Sequence, residues 1–282
     1  SLRRLLRFNG AMFEVQHIDS LDLPELEPYR TLRRPLEHRQ QRILVAEGEK
    51  LVRRLLESDF AVVSVLMPEP WLRSFEPMLE ARPELIPAFV AEKRVLERLT
   101  GFSMYQGVLA VGRIPPLPTL ETVLQTSAQP RLFAAVDGIS NADNLGVLVR
   151  TCAAFGVQAL LVGETASSPF LRRAVRSSMG TIFRLPVVEL DSLVQALKVL
   201  RARQVRCLAA HPHAQGRTLA QADFTQDSCL ILGSEGHGIS PAVLQACDAA
   251  VAIPMACGVD SLNVSAAGAV FLYEAQRQRR KM

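Results

Sequence analysis

Three stretches of the sequence combine glycines, short polar side chains and single charged groups at spacings that could hold a ligand and act on it. The first runs from Asp137 to Thr151 and includes Asn141, Asp143, Asn144 and Arg150. Its Asn and Asp residues can each cap a following helix. Arg150 stands among Leu148, Val149, Cys152, Ala153 and Phe155, so its guanidinium is expected near an interior or cleft, where a charge needs a partner. The second stretch, Ile231 to Ser240, places Glu235 among Gly233, Gly236 and Gly238; glycines of this kind let backbone N–H and C=O groups approach a ligand closely. His237 reads as a turn residue, because a single His without an identified partner is a weak basis for proton transfer. The third stretch runs from Ile253 to Ser265. Pro254 ends a strand-like run, Gly258 loosens the turn, and Asp260, Ser261, Asn263 and Ser265 gather where a helix begins. An ordinary helix cap would use the same residues. No stretch matches GxGxxG, the P-loop or GxSxG, which removes local support for dinucleotide, triphosphate and serine-hydrolase chemistry.

The elements that must position these stretches alternate. From Arg131 the pattern predicts strands at 132–136, 159–162, 185–189, 205–210, 229–232 and 249–253, with helices at 147–155, around 172–178, and at 192–202, 241–247 and 263–276. Ser240 and Pro241 supply an N-cap and first-turn pair. Such alternation predicts a parallel sheet covered by helices on both faces, with ligands bound beyond the carboxyl ends of the strands. Upstream, strands at 43–46, 61–67 and 107–111 and helices at 50–57 and 92–99 predict a smaller α/β domain. Residues 1–29 show no clear period and are read as an N-terminal extension, with Ser1 in place of Met suggesting a processed end. Pro115, Pro116, Pro118 and Pro130 mark a linker over 113–130, with a short helix at 120–124 inside it. The expected domains are therefore 30–112 and 131–282.

The composition narrows the class. No apolar run approaches the roughly 20 residues of a membrane helix, and the start lacks a signal core, so a soluble cytoplasmic protein is expected. Five cysteines without a CxxC pair give neither a disulfide framework nor a zinc site, and no metal is expected. Acids and bases balance over residues 1–112, and the net charge of +4 equals Arg277, Arg279, Arg280 and Lys281. Local clusters say more: Arg30, Arg33, Arg34, Arg39 and Arg42 lie close together, and Arg172, Arg173 and Arg176 follow with no acid between them. Runs of this kind form solvated faces, and a phosphate backbone also selects them.

Taken together, Asn144-Leu145-Gly146 with Arg150-Thr151, Leu232 through Gly238, and Ile253-Pro254-Met255 with Ser261 through Ser265 resemble the three motifs of the SpoU/TrmH branch of the SPOUT RNA methyltransferases. The resemblance spans about residues 131–275. Val45-Ala46-Glu47-Gly48 and Gln106 through Ala110 make residues 30–112 resemble the substrate-binding domain of many members, itself similar to a kink-turn ribosomal RNA-binding protein. Arg176 through Gly180 also fits, although Met179 stands where a small residue is commoner.

The resemblance implies a C-terminal trefoil knot, a homodimer, S-adenosylmethionine as cofactor, and methylation of a ribose 2'-hydroxyl in structured RNA. Ribosomal (23S) RNA is the first choice and transfer RNA the alternative. A nonenzymatic RNA-binding or ribosome-assembly protein of the same fold is the rival from another class, and intact Asn144, Arg150, Glu235, Ser261 and Asn263 argue against it. A Rossmann oxidoreductase lacks its glycine fingerprint here. Carried over by motif, the cofactor-binding residues are Leu232, Gly233, Ser234, Gly236, Ile253, Met255, Ser261 and Leu262. Those implied at the reacting end are Asn144, Arg150, Glu235, Ser261 and Asn263. Because a guanidinium with a pKa above ~12 is a poor base, Arg150 is expected to clamp the target phosphate while Glu235 holds it. The two arginine clusters are expected to grip RNA, the second near the active face.

Overall fold

A computed structural model describes residues 3–8, 11–100, 107–214, 217–256 and 258–280. Gln106, Cys257 and Lys281 lie outside the described residues. The chain divides into two units, one comprising residues up to Pro116 together with Phe170–Phe183, the other Leu117–Pro169 and Arg184 onward. The division between Pro116 and Leu117 falls within the expected 113–130 linker, and Phe170–Phe183 joins the first unit.

The first unit is built on β1 (Arg3–Phe8), β2 (Ala11–His17), β3 (Ile43–Glu47), β4 (Val62–Met67), β5 (Ile86–Val90) and β6 (Leu109–Arg113), in the order β1-β2-β5-β4-β6-β3. Its helices are α1 (Glu27–Arg30), α2 (Pro35–Gln40), α3 (Glu49–Leu56), α4 (Glu69–Glu80) and α5 (Lys93–Thr100). Residues 1–29 are therefore no mere extension. β2 pairs in parallel with β5, and Phe13, Val15 and Gln16 are buried while Glu14 is half-buried, so the strand lies inside the unit. Helix α4 and strand β5 also escape a sequence reading, because Pro68, Pro70, Pro77, Pro83 and Pro87 punctuate the stretch. Pro68 and Pro70 sit at the start of α4, where N–H groups have no helical partner, while Pro77 lies inside the helix. Pro87 precedes Ala88, where pairing of β5 to β4 has begun. Tyr29 is fully buried, yet its hydroxyl lies 2.9 Å from Ser64 Oγ, so its polar tip is satisfied.

The second unit contains α6 (Leu120–Thr126), β7 (Leu132–Asp137), α7 (Ala142–Ala154) and β8 (Ala159–Val162). Helix α8 (Arg172–Ser177) follows in sequence but belongs to the first unit. The chain then returns as β9 (Val187–Glu189), α9 (Leu193–Ala202), β10 (Arg206–Ala210), β11 (Ser228–Gly233), α10 (Pro241–Ala246), β12 (Ala249–Val251) and α11 (Val264–Arg279). Its six strands run β12-β10-β11-β7-β8-β9, every neighbouring pair parallel, as the alternation of elements predicts. Helix α6 is capped by Thr119, whose Oγ1 accepts from Thr122 N–H at 3.1 Å. It buries Val123 and Leu124 in this unit's core, so part of the expected linker is structural. Cys152, Cys207 and Cys229 are buried free thiols, and burial pushes the Cys152 thiol up to about 12.

Helix α11 closes the sheet. Gly268 lets α11 approach α7 closely: a Cβ there would fall 2.7 Å from Leu148 Cδ1, which would have to turn aside. At its far end Arg279 donates to four carbonyls, those of Phe224 (2.8 Å), Pro130 (2.5 Å), Arg131 (2.7 Å) and Gln226 (2.9 Å). Arg279→Ala should lower unfolding free energy by about 2–3 kcal/mol, because hydrogen bonds to a charged group are among the stronger ones and half-buried carbonyls lose their donor. Urea denaturation measures this; a loss below ~0.5 kcal/mol would place the clasp among ordinary surface contacts.

Candidate active site

The carboxyl ends of β10, β11 and β12 surround a cavity of about 310 Å³ in the second unit. Its glycine loop leaves β11 at Gly233, where no side chain fits: a Cβ would lie 2.2 Å from the carbonyl carbon of Gly238 and 2.3 Å from Ile239 N. The loop folds back on itself, with Ser234 N–H donating to Gly238 O (2.9 Å) and Gly238 N–H to Ser234 O (3.0 Å). Gly238 supplies the positive φ of +68° that closes this turn. Ser240 N–H then donates to Asp137 Oδ2 at 2.7 Å, tying the loop's exit to the end of β7. Leu232, Ile253 and Leu262 contribute apolar wall, and Gly233, Ser234, Gly236, Met255 and Ser261 complete the expected set around the same space.

At Glu235, which lines the cavity, three of the sequence-selected polar residues join directly. Asn144 Nδ2 donates to Glu235 Oε1 at 2.5 Å, and Asn263 Nδ2 donates to Asn144 Oδ1 at 3.1 Å. Asn263 also caps α11, its Oδ1 accepting from Ser265 N–H at 3.0 Å and Ala266 N–H at 3.4 Å. Ser265 Oγ donates to the Asn144 carbonyl at 2.8 Å. Asn141 Oδ1 accepts from Asp143 and Asn144 N–H groups and starts α7 at Ala142, five residues ahead of the expected start. This early start puts Asn144 in the first turn of α7, where one amide links the loops after β7, β11 and β12.

Comparison with known proteins decides what this arrangement belongs to. The model of the SpoU rRNA Methylase family matches residues 131–273. The chain is a member of that family. It is 33% identical over 271 residues to an uncharacterized tRNA/rRNA methyltransferase of Mycobacterium bovis, covering 94% of this chain and 92% of the relative. Among solved structures, the SpoU methyltransferase AviRb of Streptomyces viridochromogenes is similar at 26% identity and a TM-score of 0.77, covering 90% of this chain and 96% of AviRb. An RNA 2'-O ribose methyltransferase matches at 26% identity and TM-score 0.76, over 94% of this chain and 100% of its own. AviRb has also been solved in complex with AdoMet.

Two expectations for this SpoU-family chain change. Arg150 is exposed and stands with Val147 and Ala154 on the outward ridge of α7, and it is Asn144, not Arg150, that holds Glu235. The apolar neighbours of Arg150 in sequence turn the other way, into the core. Arg172 is also engaged: its Nη1 lies 2.6 Å from Glu47 Oε2, and both side chains are largely buried. It is a tether on β3 rather than an open phosphate contact. In the same first unit Arg30 pairs with Glu27, Arg34 Nη1 lies 3.2 Å from Glu37 Oε1, and Arg42 Nη2 donates to Pro115 O at 2.8 Å. Arg33, Arg39, Arg173 and Arg176 are exposed. Met179 and Gly180 both have positive φ, +53° and +81°, so the turn after α8 needs left-handed backbone at a position where a smaller residue is expected.

His211, Pro212 and His213, which follow β10, and His237 also line the cavity, although the sequence motifs do not single them out. The signal was present, since a predicted strand over 205–210 places the next residues at a carboxyl end, where open α/β sheets bind ligands. Among the described residues no group of three or more His, Cys, Asp or Glu is arranged to hold a metal, and no helix is long and apolar enough to cross a membrane.

Proposed function

We propose that this chain transfers a methyl group from S-adenosylmethionine to a ribose 2'-hydroxyl in structured RNA, with ribosomal RNA the first substrate to test. The observation that carries the reading is the Asn144–Glu235–Asn263 cluster, whose Glu235 lines a glycine-cradled cavity. The cavity fits the cofactor. Its volume lies at the lower end of the ~300–1,000 Å³ of small-molecule sites, and Leu232, Ile253 and Leu262 offer apolar wall for an adenine. Glu235 and Asp260, with no Lys or Arg among the described lining residues, suit a sulfonium cation. The bound cofactor supplies an electrophilic methyl group that needs no metal. The protein's residues position the ribose hydroxyl for in-line attack, and Glu235, pinned by Asn144, polarises its proton. Mapping 2'-O-methyl positions in total RNA with and without the active protein tests the reading. Loss of one ribosomal position supports it, loss of a transfer RNA position supports the second reading that the relatives' tRNA/rRNA naming keeps open, and methylation of bases alone overturns both.

The exposed arginines of the first unit serve RNA capture. Arg39→Gln with Arg176→Gln should weaken RNA binding and reduce the slope of log K against log salt by about one per lost phosphate contact. Filter binding from 50 to 200 mM salt, roughly the range over which such contacts weaken, measures it; an unchanged slope would remove these residues from the interface.

The reading also takes the working form to be a cytoplasmic homodimer with a C-terminal knot. Support for the dimer comes from a strip on α7 and α11, where Val147, Val270 and Tyr273 are exposed and the Tyr273 ring meets Phe155 edge-on at 6.2 Å. Arg150 shares the ridge of Val147 and would act across such an interface. Tyr273→Glu should convert dimer to monomer in sedimentation equilibrium, with activity falling alongside. A monomeric wild-type protein would refute the dimer.

A further inference from the structure

The cavity that suits a sulfonium meets a difficulty at the other end of the same molecule, whose α-carboxylate is negative. Neither Lys nor Arg lines it among the described residues, and both Glu235 and Asp260 carry the wrong sign. A carboxylate held there without a donor would be costly. Several donors of the glycine loop are already committed, since Ser234 and Gly238 exchange backbone bonds and His237 N–H donates to Ser234 Oγ at 3.2 Å.

His211 differs. Its backbone N–H donates to Val251 O at 3.0 Å, fixing it to the end of β12, and the side chain is half-buried. The backbone N–H of His213 donates to His211 Nδ1 at 3.1 Å. That bond makes Nδ1 the acceptor and leaves the proton of the neutral imidazole on Nε2. The two rings meet edge-on, 6.1 Å between centroids, and His211 lines the cavity.

We propose that His211 is a cofactor-binding residue whose Nε2–H receives the carboxylate of the methionine part of S-adenosylmethionine, with His213 as the positioning residue that sets its tautomer. The inference rests on the cofactor reading above. Titration calorimetry separates the two with S-adenosylmethionine, S-adenosylhomocysteine and 5'-methylthioadenosine, which keeps the adenosine and sulfur but has no carboxylate. Wild-type protein that bound none of the three would end the cofactor reading and this inference with it. With wild-type binding in hand, His211→Ala should weaken both carboxylate-bearing ligands by about tenfold to a hundredfold and leave 5'-methylthioadenosine within about twofold, the range expected for a hydrogen bond to a charged group. Unchanged 5'-methylthioadenosine binding also shows that the variant is folded. His211→Asn, which keeps an N–H donor, should recover part of the loss. Equal losses for all three ligands, or wild-type affinity of His211→Ala for S-adenosylmethionine, would overturn the assignment.

Discussion

Gly233→Ala should lose S-adenosylmethionine binding by more than about a hundredfold while the protein stays folded. The added methyl would sit 2.2 Å from the Gly238 carbonyl carbon and 2.3 Å from Ile239 N, and neither is the movable tip of a side chain. The loop must open, and opening breaks the paired Ser234–Gly238 bonds and pulls on the Ser240–Asp137 contact. Overpacking of this sort costs about 1–3 kcal/mol and occasionally more. Here the cost falls on the wall that meets the ligand, so it should appear in affinity more than in stability: about 3 kcal/mol corresponds to a factor of more than a hundred in Kd. Calorimetry and thermal melting together check this. A variant that binds as wild type would mean that the loop re-forms around the methyl and that the tight approach is incidental.

Asn144→Ala should reduce turnover by about 10²–10³-fold, the scale seen when one preorganised polar group at a reacting centre is removed, with a much smaller change in cofactor affinity. Its side-chain amide bonds both Glu235 and Asn263, so the truncation frees both at once. Asn144→Asp is the sharper variant. It retains an oxygen that can accept from Asn263 but sets a second carboxylate against Glu235, and like charges at hydrogen-bond distance repel. It should be no more active than the alanine variant. A double-mutant cycle with Glu235→Gln should be strongly non-additive, as for residues that act as a unit; additive losses would show that Asn144 and Glu235 work separately.

What could be read from the sequence divides along local and nonlocal lines. The parallel sheet was legible because apolar runs and helical periods alternate from Leu132 onward, and Gly233 and Gly238 stand where the backbone needs them. Asn144 was legible as a polar residue at a helix start, but its three-way linkage was not, since Glu235 and Asn263 lie far from it in sequence. The apolar neighbours of Arg150 in sequence are not its neighbours in space, because residues three and four apart share a helix face; Val147 and Ala154 mark the exposed ridge on which Arg150 stands. Arg172 was misplaced for a nonlocal reason, as nothing near it foretells Glu47. Prolines obscure α4 and β5 in the sequence: Pro68 and Pro70 stand at the helix start, where a missing N–H is tolerated, whereas Pro77 lies inside α4.

The excursion of Phe170–Phe183 bears on how the protein is made. Phe60 packs its ring 6.4 Å from Phe170 and 5.5 Å from Phe183, and Glu47 waits for Arg172. A nascent chain leaving the ribosome has all six strands of the first sheet by Arg113, but it lacks the partners of Phe60 and Glu47 until Phe183 has emerged. The first unit therefore cannot finish folding before β7, α7 and β8 have been synthesised, and a fragment ending at Pro116 would expose an apolar face and an unpaired carboxylate that the intact chain covers.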